Sequence, residues 1–369
     1  MAIYKIFPEK SATLYSYYPT INTGLDEILE LSTFYSINDT NEVSRPIIKF
    51  PQDEINDVIL NKVDGDNYDA YLKLSLANAS QIPLNYTIEC RPLASDWNMG
   101  TGRFSNSPST TDGASWGYYD QLGGDVWFVP GQFDTGTTGS YQLGSNIGGG
   151  LWLSDNLYKS VQSFTHKTPL DIELQISNTV KDWYSNSINN YGVILKHSSS
   201  IEFTSASKFE LKYFSGNTHT IYPPCLEIRW DDSSYFIGTL PVIDSDLYVT
   251  SIGNNKSNYQ QDSVQRFRVK VRPKYPPRTF STSSFTYSTV NYALPETSYW
   301  SIKDLDTEEI VVDYDTTYTK LSCDDKGNYF DVYMNGLEPE RYYQLLFKTI
   351  LDTGETIIFD ENYYFKVIR

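Results

Sequence analysis

The chain has 369 residues and a formal net charge of −17, with 31 tyrosines, 18 phenylalanines and 7 tryptophans. So large an acidic excess repels phosphate backbones and anionic lipid, which argues against nucleic-acid or membrane-surface binding as a primary activity. The length exceeds one ordinary core, and the aromatic load favours pleated surfaces over helix, so two β modules are the starting expectation.

The opening stretch MAIYKIFPEKSATLY lacks the continuous apolar run of a secretory signal, and no stretch of about 18 apolar residues follows. Synthesis in a cytosol without export is therefore expected. Cys90, Cys225 and Cys323 are odd in number and far apart, which points to buried reduced thiols rather than a disulfide framework.

Period-two runs recur along the chain, at Ile47–Phe50, Tyr71–Leu76, Tyr86–Cys90, Phe209–Tyr213, Leu226–Trp230, Arg266–Arg272, Tyr329–Met334 and Tyr342–Thr349. Turn-forming residues separate them, and no strand–helix rhythm intervenes. Antiparallel sandwiches are expected rather than a parallel α/β sheet. One segment departs from this: in Ser177–Tyr191, Val180, Trp183 and Tyr184 fall at helical spacing, predicting one short helix. Residues 98–150 are rich in Gly, Ser, Thr, Asn and Asp but carry Trp116 and Trp127, so this long loop is expected to fold back onto the sandwich. The strand rhythm fails after Trp230, which places a domain junction near residue 238 and gives modules 1–238 and 239–369. In the second module Asn335-Gly336-Leu337-Glu338-Pro339 leads into Arg341-Tyr342-Tyr343, the pattern of a tyrosine corner in an immunoglobulin- or fibronectin-like sandwich.

Candidate chemistry is sparse. His166, His197 and His219 have no partner at metal-ligand spacing and are expected on the surface, and no nucleophile elbow, phosphate loop or dinucleotide fingerprint is present. No enzymatic activity and no redox or transition-metal cofactor are expected. The oxygen-rich turn Asp64-Gly65-Asp66-Asn67-Tyr68-Asp69 leaves calcium open, with Asp64, Asp66 and Asp69 as ligands, although Ser75 stands where an EF-hand has its closing glutamate. Trp116, Trp127 and Trp152 have two readings: platforms that stack on the sugar rings of a host glycan, or plugs of the core. Along Arg266–Arg272, alternation sends Arg266, Arg268, Lys270 and Arg272 to one face and Phe267, Val269 and Val271 to the other. That basic stripe is expected either to pair internally with Glu308, Glu309, Asp313 and Asp315 or to dock on an acidic partner surface.

An ordered series of short motifs in the first 230 residues resembles the DNRLRE (disaggregatase-related) domain. It comprises Ala12-Thr13-Leu14-Tyr15, Asn22-Thr23-Gly24, Arg45-Pro46-Ile47-Ile48-Lys49-Phe50, Trp97-Asn98-Met99-Gly100-Thr101-Gly102, Gly123-Gly124-Asp125, Val180-Lys181-Asp182-Trp183 and Tyr222-Pro223-Pro224-Cys225. Asn98-Met99 departs from the acidic residue usual at that turn. The resemblance implies a jelly-roll sandwich akin to carbohydrate-binding modules, serving as an accessory or structural part. Relatives in tailed bacteriophages are commonly virion components. The expectation is thus a non-enzymatic virion protein of the neck, tail or baseplate region, binding other virion proteins in multiple copies within a symmetric assembly. A glycan-binding adhesin or receptor-binding fibre-associated protein is the alternative.

Overall fold

Alternating aromatic and β-branched runs become strand throughout the computed structural model, which describes residues 2–35, 41–63, 65–127, 137–140, 148–202, 209–275, 278–280, 285–287 and 290–369. The chain is an all-β protein with curled sheets of sandwich type. It divides into two compact units. The larger comprises Ile6–Lys62 and Asp69–Ile228, and the smaller Met1–Lys5, Val63–Tyr68 and Arg229–Arg369. Against the expected junction near 238, the chain leaves the larger unit ten residues earlier, and two short upstream segments join the smaller one.

In the larger unit an eight-stranded sheet runs Ser160–Thr165, Asn85–Pro92, Val193–His197, Asn41–Lys49, Ile28–Tyr35, Phe209–Phe214, Leu76–Ser80, with Lys10–Tyr15 also paired to Asn41–Lys49. A second sheet places Tyr68–Leu74 between Cys225–Trp230 and Ile172–Gln175. The predicted helix is present as Ser177–Tyr184, burying Thr179, Val180 and Trp183. A second helix, Gln52–Asn61, corrects the expectation of a single one. Its signal was in the sequence: Asp53 and Glu54 occupy the first turn, and Ile55, Val58 and Ile59 form an apolar stripe at i, i+3 and i+4.

The long Gly- and Ser-rich segment is tied down by Asn22. This buried side chain donates to the carbonyls of Met99 (2.8 Å) and Ala114 (2.9 Å) and accepts from the N–H groups of Gly24 (3.2 Å) and Gly102 (2.7 Å). Such close approach leaves no room at Gly24, where a Cβ would lie 2.0 Å from the Met99 carbonyl oxygen. Trp97 packs in the same core and donates from its indole to the Tyr191 carbonyl at 2.9 Å.

The smaller unit has a four-stranded sheet, Tyr248–Ile252, Val264–Pro273, Gly327–Tyr333, Ser322–Asp324, and a five-stranded one, Asn258–Gln260, Thr356–Ile368, Tyr342–Ile350, Ser298–Asp304, Ile310–Val312. One core joins them, since Phe267, Val269 and Phe330 of the first sheet pack with Trp300, Phe347 and Phe365 of the second. The expected tyrosine-corner bond is present: the Tyr343 hydroxyl donates to the Glu338 carbonyl, five residues upstream, at 3.1 Å. Tyr343→Phe is expected to cost the smaller unit about 1 kcal/mol, the usual net worth of one such bond. Urea unfolding of wild type and variant checks this, and equal midpoints would count against the corner.

The three cysteines are free and buried, and burial pushes the Cys90 thiol up to about 12. No helix among the described residues is long and apolar enough to cross a membrane.

Candidate functional site

Alternation along Val264–Pro273 places Phe267, Val269 and Val271 in the core and leaves Arg266, Arg268, Lys270 and Arg272 on the outer face. The four cations then divide in two. Arg266 forms a bidentate pair with Asp331 (2.8 and 2.7 Å), its direct cross-strand neighbour, and Arg268 a bidentate pair with Asp324 (2.9 and 2.8 Å). Both guanidinium groups also lie over the Tyr329 ring, at 4.4 and 5.3 Å from its centre. The Arg268 pair holds the Asp324 carboxyl below the usual carboxylate range.

These partners correct the expected internal pairing with Glu308, Glu309, Asp313 and Asp315. The reason is topological: Ile310–Val312 lies in the other sheet, and the strand beside Val264–Pro273 is Gly327–Tyr333. Glu308 instead meets Lys303 at 3.9 Å, and Asp315 caps the backbone of Thr317 and Tyr318.

Among the described residues Lys270 and Arg272 have no carboxylate opposite. Pairing with Gly327–Tyr333 ends at Val269↔Asn328, so beyond that point the strand keeps Tyr248–Ile252 as its ladder partner, with Ser251 facing Lys270 and Val249 facing Arg272. Both are exposed, as are Lys274, two positions on, and Tyr275, which is 80% exposed. Arg272 donates to the adjacent Pro273 carbonyl at 3.2 Å. Lys270 and Arg272 on the strand and Lys274 in the bend just past its end at Pro273 thus form a short basic strip, with the exposed Tyr275 following.

The tryptophans held open as sugar platforms are core residues instead. Trp116, Trp127 and Trp152 are buried together with Leu14, Ile47, Leu93 and Ile194, so none presents a ring face for stacking. Trp127 donates from its indole to the Ser115 carbonyl at 2.8 Å. Trp116 and Trp152 flank the Arg45 guanidinium, at 5.0 and 5.3 Å from ring centre to Cζ.

Arg45 is the centre of a buried charge cluster that the sequence did not single out. It makes a bidentate pair with Glu202 (2.9 and 2.8 Å), both side chains fully buried, and donates to the Gly149 carbonyl at 2.8 Å. Gly149, at φ +82°, lies so close that a Cβ there would meet Trp116 at 2.6 Å and Arg45 at 2.8 Å. Lys196 stands 3.8 Å from Glu202 and 3.7 Å from Glu89, which also pairs with Lys159 at 2.8 Å. Burial alone would raise the Glu202 carboxyl, but Arg45 and Lys196 outweigh it and hold it below its usual range. Sealed in this way, the cluster joins elements rather than meeting a substrate. The one hint in the sequence was an arginine directly before the apolar run Pro46-Ile47-Ile48.

His197 corrects the expectation of surface histidines. It is fully buried, 4.3 Å from the Phe209 ring centre, and burial pushes its pKa down to about 4. His166 and His219 are exposed.

Of the calcium candidates, Asp64 lies outside the described residues. Asp66 is exposed, and Asp69 accepts hydrogen bonds from Gln175 (2.8 Å) and Ser177 (3.1 Å) at the start of the Ser177–Tyr184 helix. Among the described residues no group of three or more His, Cys, Asp or Glu side chains is arranged to hold a metal ion. No family model matches the chain, and no curated protein matches it.

Proposed function

We propose that the protein is a non-enzymatic structural component of a tailed-bacteriophage virion, docking on other virion proteins in the neck, tail or baseplate region. The observation that carries this reading is the basic strip of Lys270, Arg272 and Lys274 on a chain of net charge −17. A second copy is acidic overall, as are many protein surfaces, and complementary potentials steer encounter and set register. The partner is therefore an acidic face of a neighbouring virion subunit. The ordered DNRLRE-like motifs support the virion setting, and the folded, two-unit all-β architecture suits a part whose work is to hold a surface in place.

Arg266 and Arg268 are spent on Asp331 and Asp324, so the informative change is Lys270→Glu with Arg272→Glu. The doubly reversed protein is expected to keep its thermal stability, because neither residue has an internal carboxylate partner among the described residues, and to fail to enter particles. Mass spectrometry of purified particles reads the outcome. Normal incorporation would remove the support for docking through this strip, and absence of the wild-type chain from particles would remove the virion role altogether.

A further inference from the structure

On the larger unit Tyr17, Tyr18 and Phe104 stand 52, 41 and 43% exposed and touch in series. Ring centres lie 4.8 Å apart from Tyr17 to Tyr18 and 5.5 Å from Tyr18 to Phe104, and Phe104 rests on the buried Tyr15 ring at 4.9 Å. Single apolar residues scattered over a surface need no explanation, whereas adjoining aromatic rings left to water mark a contact surface.

Carboxylates border these rings. Both Asp26 oxygens accept from the Phe104 N–H at 3.1 Å, and Glu27 faces Arg103 at 3.5 Å and the exposed His219 at 4.0 Å. Glu30 and Glu210 share Lys212, at 3.0 and 3.1 Å. Among the described residues these four carboxylates thus divide two full cations, and Asp26 is ion-paired to neither. The Asp26 carboxyl stands at about 6, raised first by burial and then by Glu30 and Glu27, with the Phe104 N–H and Arg103 opposing. Tyr15, the remaining titratable group beside it, is pushed well above its usual range by burial and stays neutral. The patch is therefore aromatic, negative and short of a cation. The strip of Lys270, Arg272 and Lys274 in the smaller unit supplies what it lacks, since ammonium and guanidinium groups bind carboxylates and ring faces alike, and the exposed Tyr275 adds a ring of its own.

We propose that the basic strip of one copy docks on the aromatic and acidic patch of a second copy, so that the neighbouring subunit is this chain itself. The inference rests on the docking role given to the strip above and names its partner. Every copy carries both surfaces, and engaging one leaves the other free. Such a head-to-tail contact closes into a ring or runs on as a filament, depending on the angle between successive copies.

Analytical ultracentrifugation of the full chain over a concentration series at pH 7 is expected to show association beyond the dimer. Lys270→Glu with Arg272→Glu, and separately Tyr17→Ser with Glu27→Gln, are each expected to weaken it roughly tenfold or more. An equimolar mixture of these two variants is expected to form dimers and nothing larger, because the strip-reversed copy keeps its patch and the patch variant keeps its strip. Ile358→Ser with Tyr364→Ser, at exposed positions elsewhere in the smaller unit, is expected to leave association as it was. Wild-type association is expected to be roughly tenfold weaker at pH 5 than at pH 7, as Asp26 takes up a proton and the patch loses charge. A wild-type chain that stays monomeric at every concentration overturns the proposal, as does association that survives either of the first two variants. So does a mixture that fails to pair although both variants melt at the wild-type midpoint. Presence in purified particles is read separately: a chain that is monomeric alone but present in particles loses this inference and keeps the virion role, and a self-associating chain absent from particles does the reverse.

Discussion

Arg45→Met is expected to destabilise the larger unit by about 3–5 kcal/mol, the usual cost of stranding one charge of a fully buried pair. The stranded charge is Glu202, which loses both guanidinium contacts and keeps, among the described residues, the Lys196 ammonium 3.8 Å away. The Gly149 carbonyl loses its donor at the same time, and Trp116 and Trp152 lose the cation between them. Since whole domains are typically stable by only about 5–15 kcal/mol, such a loss is a large fraction of the total. Glu202→Leu added to Arg45→Met is expected to recover part of the loss, because an apolar pair of similar volume leaves no uncompensated charge. Urea midpoints of wild type, single and double variants measure both steps. A single variant within 1 kcal/mol of wild type would show that the pair carries little of the larger unit's stability.

His197→Leu is expected to remove an acid-sensitive contribution of about 3 kcal/mol between pH 7 and pH 4. The native imidazole titrates at about 4 against 6.5 for an unperturbed one, so below pH 6.5 the unfolded chain binds a proton that the native state refuses. Stability therefore falls as pH drops from 6.5 toward 4 and levels off below that. Burial is the main cause, Lys196 adds to it, and Glu202 opposes it. Asp26 works in the opposite sense. Burial raises its carboxyl from 3.8 to about 6, so between those values the native state binds more protons and stability falls as pH rises. The two effects offset each other in the wild-type curve, and the difference between wild type and variant isolates the histidine. Parallel stability–pH curves for the two proteins would contradict the assignment.

What the sequence revealed was mostly what periodicity controls. Alternation in Arg266–Arg272 predicted which side chains enter the core, and the spacing of Val180 and Trp183 predicted a helix, because both depend on neighbours in the chain. Which carboxylates meet Arg266 and Arg268 was not legible, since cross-strand partners depend on sheet order, and Asp331 and Asp324 lie more than fifty positions away. Trp116, Trp127 and Trp152 show the same limit: a tryptophan among glycines has no period to say whether it faces solvent or core. His197 and Arg45 were missed because a polar residue inside a strand carries no mark of the partners that bury it.

The four bonds that the Asn22 side chain makes all end on main-chain atoms: two carbonyls, at Met99 and Ala114, and two amides, at Gly24 and Gly102. A loop anchored by its peptide groups keeps its path when side chains that touch nothing else are changed, provided the glycines at the contact points and the Thr101–Asp112 bond stay. Ser105 and Ser109 on the exposed stretch are therefore open to replacement at little cost to the fold, whereas Phe104 packs its ring 4.9 Å from that of Tyr15 and Arg103 reaches Glu27 at 3.5 Å. The larger unit carries, in effect, a display frame whose lettering can be rewritten while the frame stays rigid, which is the property a surface needs if its partner changes faster than its scaffold does.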